Sequence, residues 1–218
     1  MKTCFINAGI GYWYPKGSDR LKGTLLDKGF PGDLLFWKDW PCGGYDKGCI
    51  YNCKAAAFEE AINRGYTTII WGDCSVTAVR STTKFVERVR HGRWLAQSGH
   101  NCAQVCTDHQ LEYFGITRDE AEKMPDCASG LFGVDTGNLT SLKLIHRWIQ
   151  AARDGMFNGS RFHSSHESKD PRFLYGRQDQ SCLSVIAGQL GIKLDTFIEF
   201  AKFKWDRDAG QTFHLEGM

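Results

Sequence analysis

Thr67-Thr68-Ile69-Ile70-Trp71-Gly72-Asp73-Cys74-Ser75 is a short β-rich run that stops at a glycine and a carboxylate. Residues 68–71 are all β-branched or aromatic, the composition of a buried strand. Gly72 breaks the run, and Asp73 and Ser75 follow with only Cys74 between them. In open α/β sheets ligands bind just beyond the carboxyl ends of the strands. A carboxylate released there, with a second oxygen two residues on, suits a hard divalent cation. The plainer alternative is an Asx- or Ser-type turn that ends the strand.

Outward from this run, strands alternate with helices. Upstream, residues 51–64 carry Ala55, Phe58, Ala61 and Ile62 at helical spacing, and Gly65 closes the helix. Residues 33–37 read as a strand, and residues 18–28 as a short amphipathic helix with Leu21, Leu25 and Leu26 on one side. Residues 4–8 form the first strand, which runs into the glycine-aromatic loop Gly9-Ile10-Gly11-Tyr12-Trp13-Tyr14. Strand, helix, strand, helix, strand predicts a doubly wound α/β sheet with a parallel core. Downstream, helices are predicted over 82–90, 119–123, 139–154 and 179–191. Thr117 and Glu120 form a capping box for the second of these. Residues 128–135 read as a glycine-broken strand, residues 197–205 as a strand or an aromatic helix, and residues 158–172 as a polar loop. The expectation is one domain over residues 1–218, without internal repeats.

The chain has 218 residues, 42% of them hydrophobic, so it can bury a sizeable core unaided. Its formal net charge of +2 does not require a polyanionic partner. The most basic stretch, residues 84–93, reads as a solvated helix face or as a phosphate-binding edge. Nine cysteines, an odd number at irregular spacing, argue for reduced thiols rather than a disulfide framework. Cys49-x3-Cys53 and Cys102-x3-Cys106-x2-His109 lack the paired geometry usual for structural zinc. Residues 1–7 do not resemble a signal peptide, and no stretch reaches the length of a membrane span. A cytoplasmic protein is the expectation.

Four places act together with Asp73-Cys74-Ser75: the loop at Asn7-Ala8-Gly9 followed by Arg20-Leu21, the helix start at Cys53-Lys54-Ala55, the segment Val134-Asp135-Thr136-Gly137-Asn138, and Gly176-Arg177-Gln178-Asp179-Gln180-Ser181. With the late Thr212-Phe213-His214-Leu215-Glu216-Gly217, the pattern resembles GT-A-type glycosyltransferases, and among them the retaining, glycogenin-like group. The resemblance implies a single GT-A (Rossmann-like) domain with a mixed, mostly parallel central sheet and helices on both faces. It implies transfer of a sugar from a nucleotide-diphosphate donor, UDP first among them, to a hydroxyl of a saccharide, protein or modified nucleic acid.

Residue by residue, the resemblance assigns Asn7, Ala8, Gly9 and Tyr12 to the base and ribose and Arg20 to the phosphates. It brings Lys54 to the donor, and makes Asp73-Cys74-Ser75 a degenerate Asp-x-Asp in which Asp73 and Ser75 bind Mn2+ or Mg2+. His214 completes that metal set, with His163 and His166 as rivals. Asp135 and Thr136 hold the donor sugar, in the place of the family's Asn-Ala/Ser-Gly step. Asp179 and Gln180 lie beneath the anomeric carbon, Gln180 where a nucleophile would otherwise sit. Each feature has a plainer account: a strand-end turn at Gly9, an N-cap at Thr136 or Asn138, a helix start at Asp179, a solvated tail at His214.

Other functions compete. An inverting GT-A enzyme would use Asp179 as general base. A nucleotidyltransferase would need a long glycine-rich, lysine-bearing loop early in the chain, which is missing. A non-catalytic carbohydrate- or nucleic-acid-binding protein could stack rings on Tyr12, Trp13, Tyr14, Trp37 and Trp40. A glycosyltransferase acting on modified DNA would bind duplex in a salt-dependent way.

Overall fold

The computed structural model describes residues 1–12, 14–158, 168–204, 206 and 210–216. His163, His166, Trp13 and Gly217 lie outside the described residues. The first strand, β1 (Thr3–Ala8), is followed by α1 (Tyr14–Asp27), β2 (Asp33–Trp37), α2 (Asn52–Asn63) and β3 (Thr68–Gly72). Then come β4 (Val76–Ala78), α3 (Thr83–Arg90), β5 (Arg93–Trp94) and β6 (Gln97–Asn101). Three short helices, α4 (Cys102–Val105), α5 (Asp108–Tyr113) and α6 (Arg118–Glu122), lead to β7 (Pro125–Cys127) and β8 (Leu131–Asp135). The long α7 (Leu139–Arg153), α8 (Gln178–Gln189), a 3-10 turn at Phe197–Glu199, β9 (Ala201–Phe203) and β10 (Phe213–Leu215) complete the order.

The central sheet runs β2-β1-β3-β8-β5. β1 pairs in parallel with β2 and β3, whereas β8 is antiparallel to both β3 and β5. Four strands therefore share one direction and β8 alone is reversed, a mixed, mostly parallel sheet as expected. Alternation along the strands builds two cores. Cys4, Ile6, Ala8, Ile69 and Trp71 pack with Phe58 of α2, Trp148 of α7 and Leu183 of α8. Phe5 and Ile70 pack with Leu21 and Leu25 of α1 and with Val86 and Val89 of α3. Helices thus cover both faces, which is why every residue of β1 and β3 is buried.

Since β2 and β3 flank β1 on opposite sides, the carboxyl ends of β1 and β3 form a topological switch point, where open α/β sheets place ligands. A three-stranded sheet, β4-β10-β9, extends the Phe5 core beyond that edge. A two-stranded ribbon, β6-β7, flanks it.

Several expectations change. Residues 14–17 join the first helix. There Gly17 lies so close to Cys74 that a Cβ would stand 2.4 Å from the Cys74 carbonyl oxygen. Within the stretch read as a strand or an aromatic helix, Phe197–Glu199 is a 3-10 turn and Ala201–Phe203 a short strand. His214 is the middle of β10, paired with Thr77 and Lys202, rather than part of a solvated tail. The basic stretch is largely structural: Arg88 pairs with Asp195, and Arg90 donates to Thr3 Oγ1 at 2.9 Å. All nine cysteines are thiols. No described helix is long and apolar enough to cross a membrane.

Candidate active site

Lys54 is the centre of the site. It sits in the first turn of α2, whose alanine-rich face lets the helix lie close on the sheet. Its Nζ lies 3.0 Å from Asp73 Oδ1 and 3.0 Å from Asp179 Oδ2. The Ser129 carbonyl and hydroxyl oxygens, each at 3.4 Å, accept from the same ammonium, and the Trp71 ring lies 5.5 Å away. Burial alone pushes the Lys54 ammonium toward losing its proton. Asp179 and Asp73 outweigh that cost and hold the ammonium above the ordinary lysine range. Asp179 behaves differently: burial pushes its carboxyl up, Lys54 pulls it down, and the charge on Asp73 adds repulsion. Lysine has two opposite charges to offset its desolvation, whereas Asp179 has one, so attraction wins at Lys54 and burial at Asp179.

Asp179 is 2% exposed and lies in the first turn of α8. The backbone before it is strained. Gln178 has φ 40°, the one non-glycine residue in the left-handed region among those described, at a cost of about 1–3 kcal/mol. Several bonds hold this turn: Gln110 Nε2 donates to the Gln178 carbonyl at 3.1 Å, Trp148 Nε1 to the Asp179 carbonyl at 2.8 Å, and Ser181 Oγ to the Val105 carbonyl at 2.6 Å. The segment leading into it is anchored by Arg118, which donates to the carbonyls of Ala103 and Cys106 and to Ser168 Oγ. The left-handed turn and its anchors aim Asp179 back at Lys54.

These groups open onto a cleft of about 860 Å³, lined by Lys54, Asp73, Ser75, Asp179, Gln180 and Arg177 among others. A small hollow of about 100 Å³ adjoins it, sharing Lys54 and Asp73, with Ala8, Ile10, Tyr14 and Trp71 as apolar walls. The N-terminal loop meets this hollow differently from the sequence-based assignment. Ala8 lines it, and so does Tyr14 in place of Tyr12, which is 85% exposed. Asn7 is fully buried and donates to the Gly72 carbonyl at 2.8 Å, tying the ends of β1 and β3 together. Gly9 donates to the Trp37 carbonyl at 2.8 Å, and a Cβ there would stand 2.6 Å from Ser18 Cβ. Asn7 and Gly9 therefore shape the site from behind. Arg20 donates to the Cys74 carbonyl at 3.0 Å and pairs at 2.6 Å with Glu216, which lines the cleft.

The residues expected to bind metal separate. Asp73 and Ser75 share a turn in which Val76 N–H donates to the Asp73 carbonyl at 2.9 Å, and both line the cleft. Asp73 Oδ1 accepts from Trp71 Nε1 at 2.7 Å. Its Oδ2 lies 3.3 Å from where a Cβ on Gly130 would be, so a side chain there would crowd it. His214 does not join them: β10 turns Leu215 toward the cleft, and alternation sends its neighbour to the other face. Among the described residues no three His, Cys, Asp or Glu side chains converge. What remains is one carboxylate oxygen and one hydroxyl. Two oxygen donors suit a hard divalent cation such as Mg2+ or Mn2+ only if further ligands come from outside these residues.

Asp135 and Thr136 are also displaced, because β8 is reversed. Thr68 pairs with Asp135 and Gly72 with Leu131, so Asp135 lies at the far end of the sheet from Asp73. There it accepts from Gly137 N–H at 2.9 Å, Thr136 Oγ1 donates to the Thr67 carbonyl, and Asn138 caps α7. Asp135→Ala is accordingly expected to leave turnover within about twofold of wild type while lowering stability by about 1 kcal/mol for the lost turn. Urea melts read beside activity check both parts.

The reversed strand brings its start to the cleft instead. Ser129 and Gly130 take the place expected of residues 135–136. The Ser-Gly step was in the sequence; what hid it was the assumption that its strand runs parallel. Tyr175 and Arg177 also line the cleft, although the sequence assigns neither a role. Arg177 donates to Tyr175 Oη at 3.1 Å, and that hydroxyl is 3.1 Å from His100 Nε2, forming a polar rim opposite Phe197 and Phe203.

No family model matches the chain, and no curated protein resembles it in sequence. Solved structures do share its fold. One is a glycosyltransferase involved in glycosylation of the major capsid of PBCV-1, at TM-score 0.55 and 8% identity, covering 98% of this chain and 93% of that one. Another is mouse xyloside xylosyltransferase 1 in its apo form, at TM-score 0.55 and 10% identity, covering 99% and 98%. The fold is that of GT-A glycosyltransferases.

Proposed function

We propose that this protein is a glycosyltransferase that moves a sugar from a nucleotide-diphosphate donor, UDP by first choice, to an acceptor hydroxyl. The observation behind this reading is a buried ammonium held between Asp73 and Asp179 at the switch point of a glycosyltransferase fold. The apolar hollow at Ala8, Ile10, Tyr14 and Trp71 suits a base, and the cleft beside it suits the diphosphate and sugar. Lys54 stabilises negative charge as the nucleoside diphosphate departs, while Arg20 braces the Asp73-Cys74-Ser75 turn and Glu216 from behind. Asp73 and Ser75 would hold a divalent cation, which when bound supplies further charge neutralisation to the leaving group.

Asp179 and Gln180 lie where the sugar would sit, and a neutral amide there favours retention, in which positioning does more than base strength. One observation favours inversion: burial raises the Asp179 carboxyl, which makes it a better proton acceptor. The two neighbours are described as modifying a capsid and a xyloside. Those names support a saccharide or protein acceptor; a modified nucleic acid is the acceptor of the alternative reading, which salt-dependent binding to duplex DNA would favour.

Purified protein mixed with common nucleotide sugars, with and without Mn2+, is expected to hydrolyse one of them slowly and to gain thermal stability from the matching nucleoside diphosphate. Silence toward every donor in both readouts would end this reading. The anomeric configuration of the product then separates retention from inversion.

A further inference from the structure

Asp126, the middle residue of β7, is fully buried in the wall behind the cleft. Its Oδ2 accepts from Gln180 Nε2 at 2.6 Å and from the hydroxyl of Ser98. Its Oδ1 takes the hydroxyl of Ser184 at 2.6 Å, and that oxygen in turn accepts from Cys127 N–H at 2.9 Å. The other end of the Gln180 amide, Oε1, accepts from Ser129 N–H at 3.4 Å at the edge of the cleft.

This arrangement settles which way the amide faces. A glutamine side chain has one donating and one accepting end, which exchange on a half-turn. Asp126 accepts from the Ser98 hydroxyl on Oδ2 and from the Ser184 hydroxyl on Oδ1, so both of its oxygens act as acceptors here. The NH2 end of Gln180 must therefore face it, and the carbonyl end must face Ser129 and the cleft. The reversed amide would set a carbonyl oxygen against a buried carboxylate and an NH2 against the Ser129 N–H, which costs the free energy of unpaired buried polar groups at both ends. A hydrogen bond to a carboxylate also draws electron density toward the amide oxygen.

We propose that Asp126 is a positioning residue: it fixes the Gln180 amide so that Oε1, the negative end of its dipole, faces the reacting sugar. This rests on reading the cleft as a glycosyl-transfer site. Through that orientation Gln180 offers the acceptor end of its amide to a sugar carbon gaining positive charge, or to a sugar hydroxyl. Asp126 acts on the reaction only through Gln180. β7 serves the site as a backing strand whose one carboxylate sets the polarity of the residue in front of it.

The test uses the whole chain, with Asp126→Ala, Asp126→Asn and Gln180→Leu. In wild type without any donor, the two Gln180 side-chain amide protons, assigned by their loss in Gln180→Leu, should be resolved in a 15N-correlated spectrum and protected from solvent exchange. Exchange as fast as that of an exposed glutamine overturns the proposal, and the exchange itself is read on the wild-type protein. In Asp126→Ala those resonances should shift and lose protection, and kcat should fall roughly 10²-fold with donor KM little changed. Asp126→Asn, whose own carbonyl can occupy the Oδ2 position, should restore most of the protection and of kcat. Unmoved Gln180 resonances in a folded Asp126→Ala, or an unchanged kcat, overturn the proposal. So does a loss of activity that only tracks the loss of folded protein. Failure of every nucleotide sugar to react would count against the glycosyl-transfer reading alone, since the amide measurements stand without it.

Discussion

Lys54→Met is expected to lower folding stability by about 3–5 kcal/mol and to abolish turnover. Lys54 is buried, and its ammonium is the one charge between Asp73 and Asp179, at 3.0 Å from each. Removing it strands Asp179, 2% exposed, as an uncompensated buried anion. A typical domain has only about 5–15 kcal/mol of stability in all, so the loss should be plain in a urea melt. The variant should also acquire a pH dependence. Burial already pushes the Asp179 carboxyl up, and without Lys54 it rises further. A carboxyl raised in the folded state binds its proton more tightly there than in the unfolded chain. It therefore favours folding at low pH, and that contribution fades as pH climbs through the folded value. The gap between variant and wild type should narrow on acidification toward pH 4 and widen toward neutrality. Lys54→Met combined with Asp179→Leu should recover much of the stability, because an apolar pair can replace a buried ion pair, and should recover no activity. A single variant as stable as wild type at pH 7 would mean that the two carboxylates are not held as described.

How far the site could be read from the sequence follows from what kind of information each residue depends on. Strands and helices through Gly72 follow from local periodicity, and their alternation gave the parallel half of the sheet. Asp73 followed from being the first polar group after a buried strand, and Asp179 from a resemblance together with its place at a helix start. Lys54 was singled out, but its two carboxylate partners are non-local, 19 and 125 positions away in sequence. The misreadings at Asp135 and Thr136 have one cause: strand direction leaves no trace in local composition, and a reversed β8 exchanges its two ends. His214 failed for a similar reason. As a tail residue it was free to be placed anywhere, but as the centre of β10 its face is fixed by Phe213 and Leu215 on either side. Tyr12 and Tyr14 differ by two residues. Tyr14 lies between two close glycine contacts, of Gly9 on Ser18 and of Gly17 on Cys74, which local sequence does not announce.

Asp73→Asn should leave the fold nearly intact and lower kcat/KM by roughly 10²–10³-fold. The fold survives because the amide keeps an oxygen for the Trp71 Nε1 proton, and Lys54 retains Asp179. Asp73 is also the more exposed of the two carboxylates, its side chain 28% accessible against 3% for Asp179, so its removal leaves less charge unbalanced in the interior. The activity suffers because Oδ2, the oxygen beside Gly130, is the carboxylate atom left over for a cation once Oδ1 has taken Trp71 and Lys54. Converting it to a donor removes the one charge in the Asp73-Cys74-Ser75 turn. The reverse change tests the same idea from the other side. Ser75→Asp places a second carboxylate in that turn and is expected to lower the Mn2+ concentration needed for half-maximal turnover by about tenfold, one carboxylate's worth of affinity. It should do so without raising kcat, since the leaving group is neutralised by the same ion either way. If Asp73→Asn kept full activity, or if Ser75→Asp left the Mn2+ requirement untouched, the cation would not be held by this turn. Charge neutralisation at the diphosphate would then rest with Lys54, a cation that the fold already places at the cleft.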